Sequence, residues 1–145
     1  MVNRVTNEFD VDAEPARVMK ALVDIDGLPE WSSGHKNASV ETRWDDGLPR
    51  VVHADLSVVG ATDHQVLEYS WNGDESMRWE LMSSTVQKAQ IGTYTLTPTD
   101  SGGTHVKMEI EYELKIKMPG FVVNRAVKAA MEHSAKQLPE FVAKH

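Results

Sequence analysis

Hydrophobic and polar residues alternate along most of this chain, and a period of two indicates β-strands. The alternation is clearest over residues 104–117, where apolar residues occupy every second position between charged ones. Residues 3–11 show a mostly alternating pattern and predict the first strand. Strands with one apolar and one polar face are typical of an antiparallel sheet that is covered on one side. Clusters of turn-forming residues divide residues 36–117 into six further strands; the clusters lie at 45–47, 60–61, 72–74, 83–84 and 100–103.

Apolar residues recur every three or four positions in two parts of the chain, which predicts helices. The first helix is predicted over residues 14–25, and Gly27 ends it, so that a short helical turn fits before Gly34. The second pattern begins at Phe121 and continues for about 25 residues, a length of about 37 Å that can cover the sheet. Pro139 predicts a kink or an early stop in this helix, because proline has no backbone N–H to donate.

Together these elements predict an α+β fold with the order strand, two helices, six strands and a final helix. The sheet is expected to contain about seven antiparallel strands, with the C-terminal helix covering its apolar face. A length of 145 residues is typical of one domain, so residues 1–145 are predicted to form a single domain.

Five short segments carry a resemblance to a known group of proteins. They are residues 24–31 (DIDGLPEW), 43–50 (RWDDGLPR), 69–71 (YSW), 77–81 (MRWEL) and 118–121 (MPGF). Together with the order of its elements, these segments make the chain similar to the START-like superfamily, also called SRPBCC or Bet v 1-like, and within it to actinobacterial polyketide cyclase/dehydratase proteins. The resemblance covers nearly the whole chain, although the Gly-rich loop of the plant Bet v 1 allergens is missing. It implies a helix-grip fold, in which a curved sheet wraps around the C-terminal helix, and the carriage of lipids or other apolar ligands.

Charge and composition exclude several other classes of function. The chain has 15 Lys and Arg against 22 Asp and Glu, a formal net charge of -7, which repels nucleic acid. It has no cysteine, which excludes disulfides and thiolate chemistry. The sequence shows neither the apolar stretch of a signal peptide nor a span of about 18 apolar residues, so we expect a cytoplasmic location without integral membrane association.

A curved sheet that grips one helix leaves a gap wherever its inward side chains cannot close it. The sequence contains 4 Trp and 7 Met, and these residues suit an adaptable apolar wall. The resemblance to the START-like superfamily implies that a small hydrophobic molecule binds there, and we expect Trp31, Phe121 and residues 59–63 near the mouth of the cavity. The predicted ligand-binding residues are Trp31, Val40, Leu56, Val58, Leu67, Tyr69, Trp71, Met77, Trp79, Tyr94, Met108, Ile110, Tyr112, Phe121, Val127 and Met131.

Catalytic chemistry is not assigned by any motif in the sequence. The six histidines lack the HxxxH and HExxH spacings of metal sites, and nucleotide-binding and hydrolase motifs are missing, so neither a metal nor a cofactor is expected. Residues that could act on a poly-ketone are the tyrosines and three charged residues that alternation places on the outer face. These candidates are Tyr69, Tyr94, Tyr112, Arg43, Arg78 and Glu68.

Three hypotheses follow from these patterns. The first is a carrier or sensor that binds a lipid-like or polyketide-like molecule between the sheet and the last helix. The second is a polyketide cyclase or dehydratase that uses the same cavity, and the third is an interaction protein whose core is filled by its own side chains. The sequence leaves the oligomeric state open between a monomer and a homodimer.

Overall fold

The computed structural model describes residues 2–58, 60–115 and 118–145, apart from the side chain of Val58. The described part contains one seven-stranded sheet and three α-helices, with a 3₁₀ turn at Ile25–Gly27. The helices are α1 (Pro15–Val23), α2 (Leu28–Trp31) and α3 (Gly120–Lys144). The strands are β1 (Asn3–Val11), β2 (His35–Arg43), β3 (Pro49–Val58), β4 (Ala61–Asn72), β5 (Ser76–Ser84), β6 (Gln87–Pro98) and β7 (Thr104–Leu114).

All neighbouring strands of the sheet are antiparallel, in the order β1-β7-β6-β5-β4-β3-β2. Register shifts between Val66 and Leu67 and between Gln87 and Ala89 interrupt the ladders, and such bulges bend and twist a sheet. The predicted α+β helix-grip fold, with seven strands and a long C-terminal helix, is confirmed. The last predicted strand is shorter than expected, because β7 ends at Leu114; residues 116–117 lie outside the described part.

The helices differ from the prediction at their ends. Helix α1 ends at Val23, and Ile25 belongs to the 3₁₀ turn that follows it. The predicted early stop at Pro139 is wrong, since α3 continues to Lys144. Buried apolar side chains on both sides of the proline, among them Leu138 and Phe141, hold this part of the helix in place, and their burial compensates for the lost hydrogen bond.

The predicted turn at residues 83–84 is also displaced. Strand β5 runs through Ser84, and the chain turns at Thr85 and Val86 instead. The carboxylate of Asp63 determines this position, because it accepts hydrogen bonds from the Ser84 hydroxyl and from the backbone N–H groups of Thr85 and Val86.

The inner face of the sheet needs one glycine to accommodate its largest side chain. Trp79 on β5 lies directly opposite Gly92 on β6. A Cβ atom on Gly92 would overlap the six-membered ring of Trp79. The indole can therefore lie flat against the β6 backbone, and this close approach leaves space above it, on the side that faces α3.

Candidate functional site

A cavity of about 170 Å³ lies between the inner face of the sheet and α3. Its volume is below the roughly 300–1,000 Å³ of pockets for drug-sized ligands, but close to that of an apolar cavity of about 150 Å³ that binds benzene. A core filled entirely by its own side chains, as the interaction-protein hypothesis requires, is not what the structure shows. Its walls come from α1 and α2, from strands β2 to β7 and from α3 between Val123 and Ser134.

Most of the predicted ligand-binding residues lie in the cavity wall, since the pleat of a strand sends alternate side chains to the same face. The helix α3 contributes Val127 and Met131 as predicted, together with Val123, Ala126 and Ala130. The predicted residues that line the cavity are Trp31, Leu56, Leu67, Tyr69, Met77, Trp79, Tyr94, Met108, Ile110, Tyr112, Val127 and Met131.

Three of the predicted residues that the structure describes do not line the cavity. Phe121 is 70% exposed, because Val123 and Val127 occupy the face of α3 that meets the sheet. Val40 packs against the edge of the core, and Trp71 donates its indole N–H to the carbonyl oxygen of Pro49 at 2.8 Å. The side chain of Val58 lies outside the described part of the structure.

The mouth of the cavity lies between the end of β3 and the first turns of α3. Ser57 and Ala126 both line the cavity and are both exposed to solvent, whereas Trp31 is 3% exposed and forms an inner wall. None of residues 60–63, which were predicted near the mouth, lines the cavity, and Val59 lies outside the described part. Phe121 precedes Ala126 by more than one turn of α3 and points into solvent.

Several polar residues in the wall were not predicted from the sequence. Gln65 on β4 is 2% exposed, and its amide donates to Asp63 at 2.8 Å. Asp63 is fully buried and also accepts from Ser84 Oγ at 2.7 Å, so its carboxylate is satisfied by protein donors. The sequence did contain a signal for these polar residues. Residues 63, 65, 67 and 69 share one face of β4, so the inward position of Leu67 and Tyr69 also places Asp63 and Gln65 in the core. The other polar residues that line the cavity are Ser32, His35, Gln87, Gln90 and Ser134.

A second chain of hydrogen bonds fixes the aromatic wall. The indole N–H of Trp79 donates to Gln90 Oε1 at 2.7 Å, and Gln90 Nε2 donates to Gln87 Oε1 at 2.7 Å. The rings of Tyr69 and Tyr94 lie on either side of Trp79, with centroid distances of 6.1 Å and 5.7 Å. The hydrogen bonds and the ring contacts together orient Trp79 in the cavity wall.

The hydroxyls of Tyr69 and Tyr94 make no hydrogen bond to any described residue, although these residues are 7% and 4% exposed. Burial raises the pKa of both phenols, and Tyr69 raises the pKa of Tyr94 further. Both tyrosines therefore remain neutral and can donate a hydrogen bond. The hydroxyl of Tyr112, by contrast, donates to Asn124 Oδ1 at 3.2 Å.

His35 brings an imidazole to the cavity near its mouth. Burial lowers the pKa of His35 to about 4, so the ring is neutral at pH 7. Its Nδ1 atom lies 2.7 Å from the hydroxyl of Ser32, which also lines the cavity. A histidine with such a low pKa is a weak base, and proton abstraction from Ser32 at neutral pH is therefore inefficient.

The family of the chain follows from comparison with known proteins. A family model described as polyketide cyclase/dehydrase and lipid transport matches residues 3–142. The chain belongs to this family. No curated protein sequence matches it.

Solved structures show the fold of this family member to be that of the START/Bet v 1-like superfamily, as the sequence resemblance implied. A START superfamily protein from Mycobacterium smegmatis is 20% identical, with a TM-score of 0.88 and 97% of each chain covered. The Zhui aromatase/cyclase from Streptomyces sp. R1128 is 10% identical, with a TM-score of 0.85 over 99% of this chain and 95% of that one. Ara h 8.0201 is 19% identical, with a TM-score of 0.73 and full coverage of both chains.

The charged candidates for catalysis in this polyketide cyclase/dehydrase family member lie away from the cavity. Arg43 and Arg78 are exposed, and Glu68 lies 3.2 Å from Arg50 on the outer face of the sheet. Of the six candidates, the three tyrosines line the cavity and the charged residues do not.

Histidines on the outer face also form local pairs. His53 Nδ1 lies 3.4 Å from His64 Nε2, and the two rings reach Glu41 and Asp55 on their far sides. Within the described ranges, no group of three or more His, Cys, Asp or Glu is placed to hold a metal ion. No helix in the described part is long and apolar enough to cross a membrane.

A second depression of about 460 Å³ lies between α1 and the end of α3. Although its volume is larger, its lining includes the exposed charged residues Arg17, Lys20 and Asp24. Arg17 already donates to the carbonyl oxygen of Val142 at 2.9 Å. Buried apolar walls favour the first cavity as the binding site.

Proposed function

We propose that this chain binds a small hydrophobic molecule in the cavity between the sheet and α3, as a carrier or sensor in the cytoplasm. The observation that carries the proposal is the apolar cavity of about 170 Å³ behind a mouth at Ser57 and Ala126. Membership of a family described by lipid transport as well as by cyclisation supports it. The predicted ligand-binding residues that line the cavity would form its walls.

The volume of the cavity favours a compact ligand. A cavity of about 150 Å³ binds benzene, so the space here fits a molecule with one aromatic ring or a short branched chain. Transfer of such a molecule from water is favourable by about 25 cal/mol for each Å² of apolar surface buried, without any charged partner. A longer lipid or a long poly-ketone chain would require the wall to move outward.

A cyclase or dehydratase is the second candidate, and the unpaired hydroxyls of Tyr69 and Tyr94 favour it. A neutral phenol can donate to a ketone oxygen and so stabilise the enolate that forms when an α-proton leaves. The structural relative Zhui carries the name aromatase/cyclase. However, no group with a pKa near neutrality lines the described cavity, so the base for this reaction is missing from it.

A pair of alanine variants on α3 tests the binding proposal. Ala130 lines the cavity, and the Ala130→Leu side chain would occupy part of its volume. Ala129 is exposed on the other side of the same helix turn, so Ala129→Leu is the matched control. We expect ethylbenzene to bind the unaltered protein with a Kd below about 1 mM, measured by calorimetry, and Ala130→Leu to weaken binding at least about tenfold. Ala129→Leu should leave the Kd unchanged.

Native mass spectrometry of gently purified protein provides a second measurement. We expect a bound mass that disappears in Ala130→Leu and persists in Ala129→Leu. Equal binding of ethylbenzene by both variants, or none by the unaltered protein, would contradict the proposal. Formation of a cyclised product from a poly-ketone would instead favour the cyclase.

A further inference from the structure

The cavity contains two hydrogen-bond donors that the protein itself does not use. The hydroxyls of Tyr69 and Tyr94 have no partner among the described residues, and both side chains are more than nine-tenths buried. In the described part of the chain, Trp31 Nε1 is the one side-chain polar atom that is both fully enclosed and without a partner. The hydroxyls of Tyr69 and Tyr94 also have no partner, so they are not fully enclosed. Both tyrosines line the cavity, so their hydroxyls open to it.

These two hydroxyls lie in the same region of the cavity. Tyr69 on β4 and Tyr94 on β6 flank Trp79 on β5, with ring centroids 6.1 Å and 5.7 Å from that of the indole, and all three residues line the same cavity. They are not hydrogen-bonded to each other. A buried donor without a partner is unfavourable, so a ligand oxygen placed between the two would satisfy both.

The wall near these hydroxyls carries no compensating charge. No Lys, Arg, Asp or Glu side chain lines the described cavity, and His35 is neutral at pH 7. An anionic ligand would lose its hydration without gaining a cation, which is costly in a buried site. The tyrosine hydroxyls therefore suit an uncharged oxygen rather than a carboxylate.

We propose that the cavity selects neutral one-ring molecules with a carbonyl oxygen, and that the hydroxyls of Tyr69 and Tyr94 donate hydrogen bonds to that oxygen. This assignment rests on the proposed function, since it names the class of ligand for the same site. The flanking rings of Trp79 and Trp31 provide flat apolar surfaces against which an aromatic ring can pack.

The other polar end of the cavity is less suited to this role. Gln65 lies four residues before Tyr69 on β4, about 13 Å away along the strand. Its amide nitrogen is already engaged by Asp63, and Gln87 is held by Gln90. The side chains at this end are linked into the protein's own hydrogen-bond network, whereas the two tyrosine hydroxyls are not.

Three probes of similar size separate the contributions of shape, hydrogen bonding and charge. Acetophenone carries a neutral carbonyl, ethylbenzene lacks the acceptor, and benzoate carries a negative charge at pH 7. Their Kd values are measured by calorimetry for the unaltered protein and for a Tyr69→Phe, Tyr94→Phe double variant. Because ethylbenzene is the more hydrophobic probe, the quantity compared between proteins is the ratio of the ethylbenzene Kd to the acetophenone Kd.

We expect this ratio to fall about tenfold in the double variant, the effect of losing one or two neutral hydrogen bonds. The matched control is Ser70→Ala, which removes an exposed hydroxyl next to Tyr69 on β4, outside the cavity lining, and should leave the ratio unchanged. Benzoate should bind the unaltered protein at least about 100-fold more weakly than acetophenone, because its charge is not compensated. If the double variant does not fold, as judged by near-ultraviolet circular dichroism, Tyr94→Phe alone should lower the ratio about threefold.

The outcomes distinguish a failure of this inference from a failure of the proposed binding function. An unchanged ratio in the phenylalanine variants, or benzoate binding as tight as that of acetophenone, would overturn the inference while leaving a general apolar site in place. If neither ethylbenzene nor acetophenone binds the unaltered protein, both proposals are wrong. If the ratio falls equally in Ser70→Ala, the hydroxyls of Tyr69 and Tyr94 have no special role.

Discussion

The two halves of α3 differ in how completely side chains fill the space around them. In the C-terminal half, Leu138, Phe141 and Val142 are 0%, 5% and 2% exposed and belong to the hydrophobic core. In the N-terminal half, Ala126 and Ala130 line the cavity with side chains too short to fill it. Large buried side chains fill the packing at one end of the helix, whereas the other end leaves a cavity.

The filled half is fitted closely enough to exclude even a methyl group. A Cβ atom on Gly27 would lie 2.6 Å from Cζ of Phe141, well inside van der Waals contact. Arg17 on α1 donates to the carbonyl oxygen of Val142 and ties the end of α3 to the first helix. This half stabilises the fold, so the other half can leave its wall residues partly unpacked and available to a ligand.

The largest expected effect comes from shortening a large buried side chain in the C-terminal half of α3. Leu138→Ala removes a fully buried side chain from tight packing and should lower the free energy of unfolding by about 3–4 kcal/mol. Urea unfolding followed by tryptophan fluorescence measures this change. Ethylbenzene binding should persist at temperatures where the variant remains folded, because Leu138 does not line the cavity. A loss below about 1 kcal/mol would mean that the two halves of α3 do not differ as described.

Acid should lower the stability of the folded protein through His35, which lines the cavity. Its pKa in the folded protein is about 4, below the ordinary 6.5, so the unfolded chain binds a proton that the folded chain does not. Stability is therefore fully present above about pH 6.5 and is lost as the pH falls toward 4. The loss is at most about 3 kcal/mol, at about 1.36 kcal/mol for each pH unit between the two pKa values.

Urea unfolding at several pH values tests this dependence against a His35→Gln variant. Other groups titrate in both proteins, including His105, whose pKa is raised by hydrogen bonds to Glu8 and Asp10. The difference between the two proteins isolates the contribution of His35. Parallel stability curves between pH 6.5 and 4 would show that the ring is not buried in its neutral form.

The sequence predicts the sheet side of the cavity well, because alternation in a strand leaves two choices of face. Once Leu67 and Tyr69 are placed inward, the pleat also places Asp63 and Gln65 inward. What the pattern does not supply is the hydrogen-bond network that makes a buried Asp63 tolerable. That network depends on the turn after β5, which is close in space and distant in sequence.

The helix side is harder to predict for a geometric reason. A helical repeat defines an apolar stripe on α3 but not which edge of the stripe meets the sheet, so Phe121 and Val123 were equally compatible with the pattern. The early stop predicted as one alternative at Pro139 does not occur, because local propensity ignores the burial of Leu138 and Phe141 around it. The size of the cavity depends on how closely α3 approaches the sheet, a distance that no local pattern contains.

The smallest expected effect concerns the N-terminal half of α3, which lines the cavity. Val127 is partly buried and lines the cavity, so Val127→Ala removes methyl groups that already face empty space on one side. We expect a loss of unfolding free energy below about 1 kcal/mol, several times smaller than for Leu138→Ala. The variant enlarges the cavity, so butylbenzene should gain affinity relative to ethylbenzene, which calorimetry measures. A destabilisation as large as that of Leu138→Ala, with no gain for the longer probe, would mean that the wall at Val127 is packed as tightly as the core around Leu138.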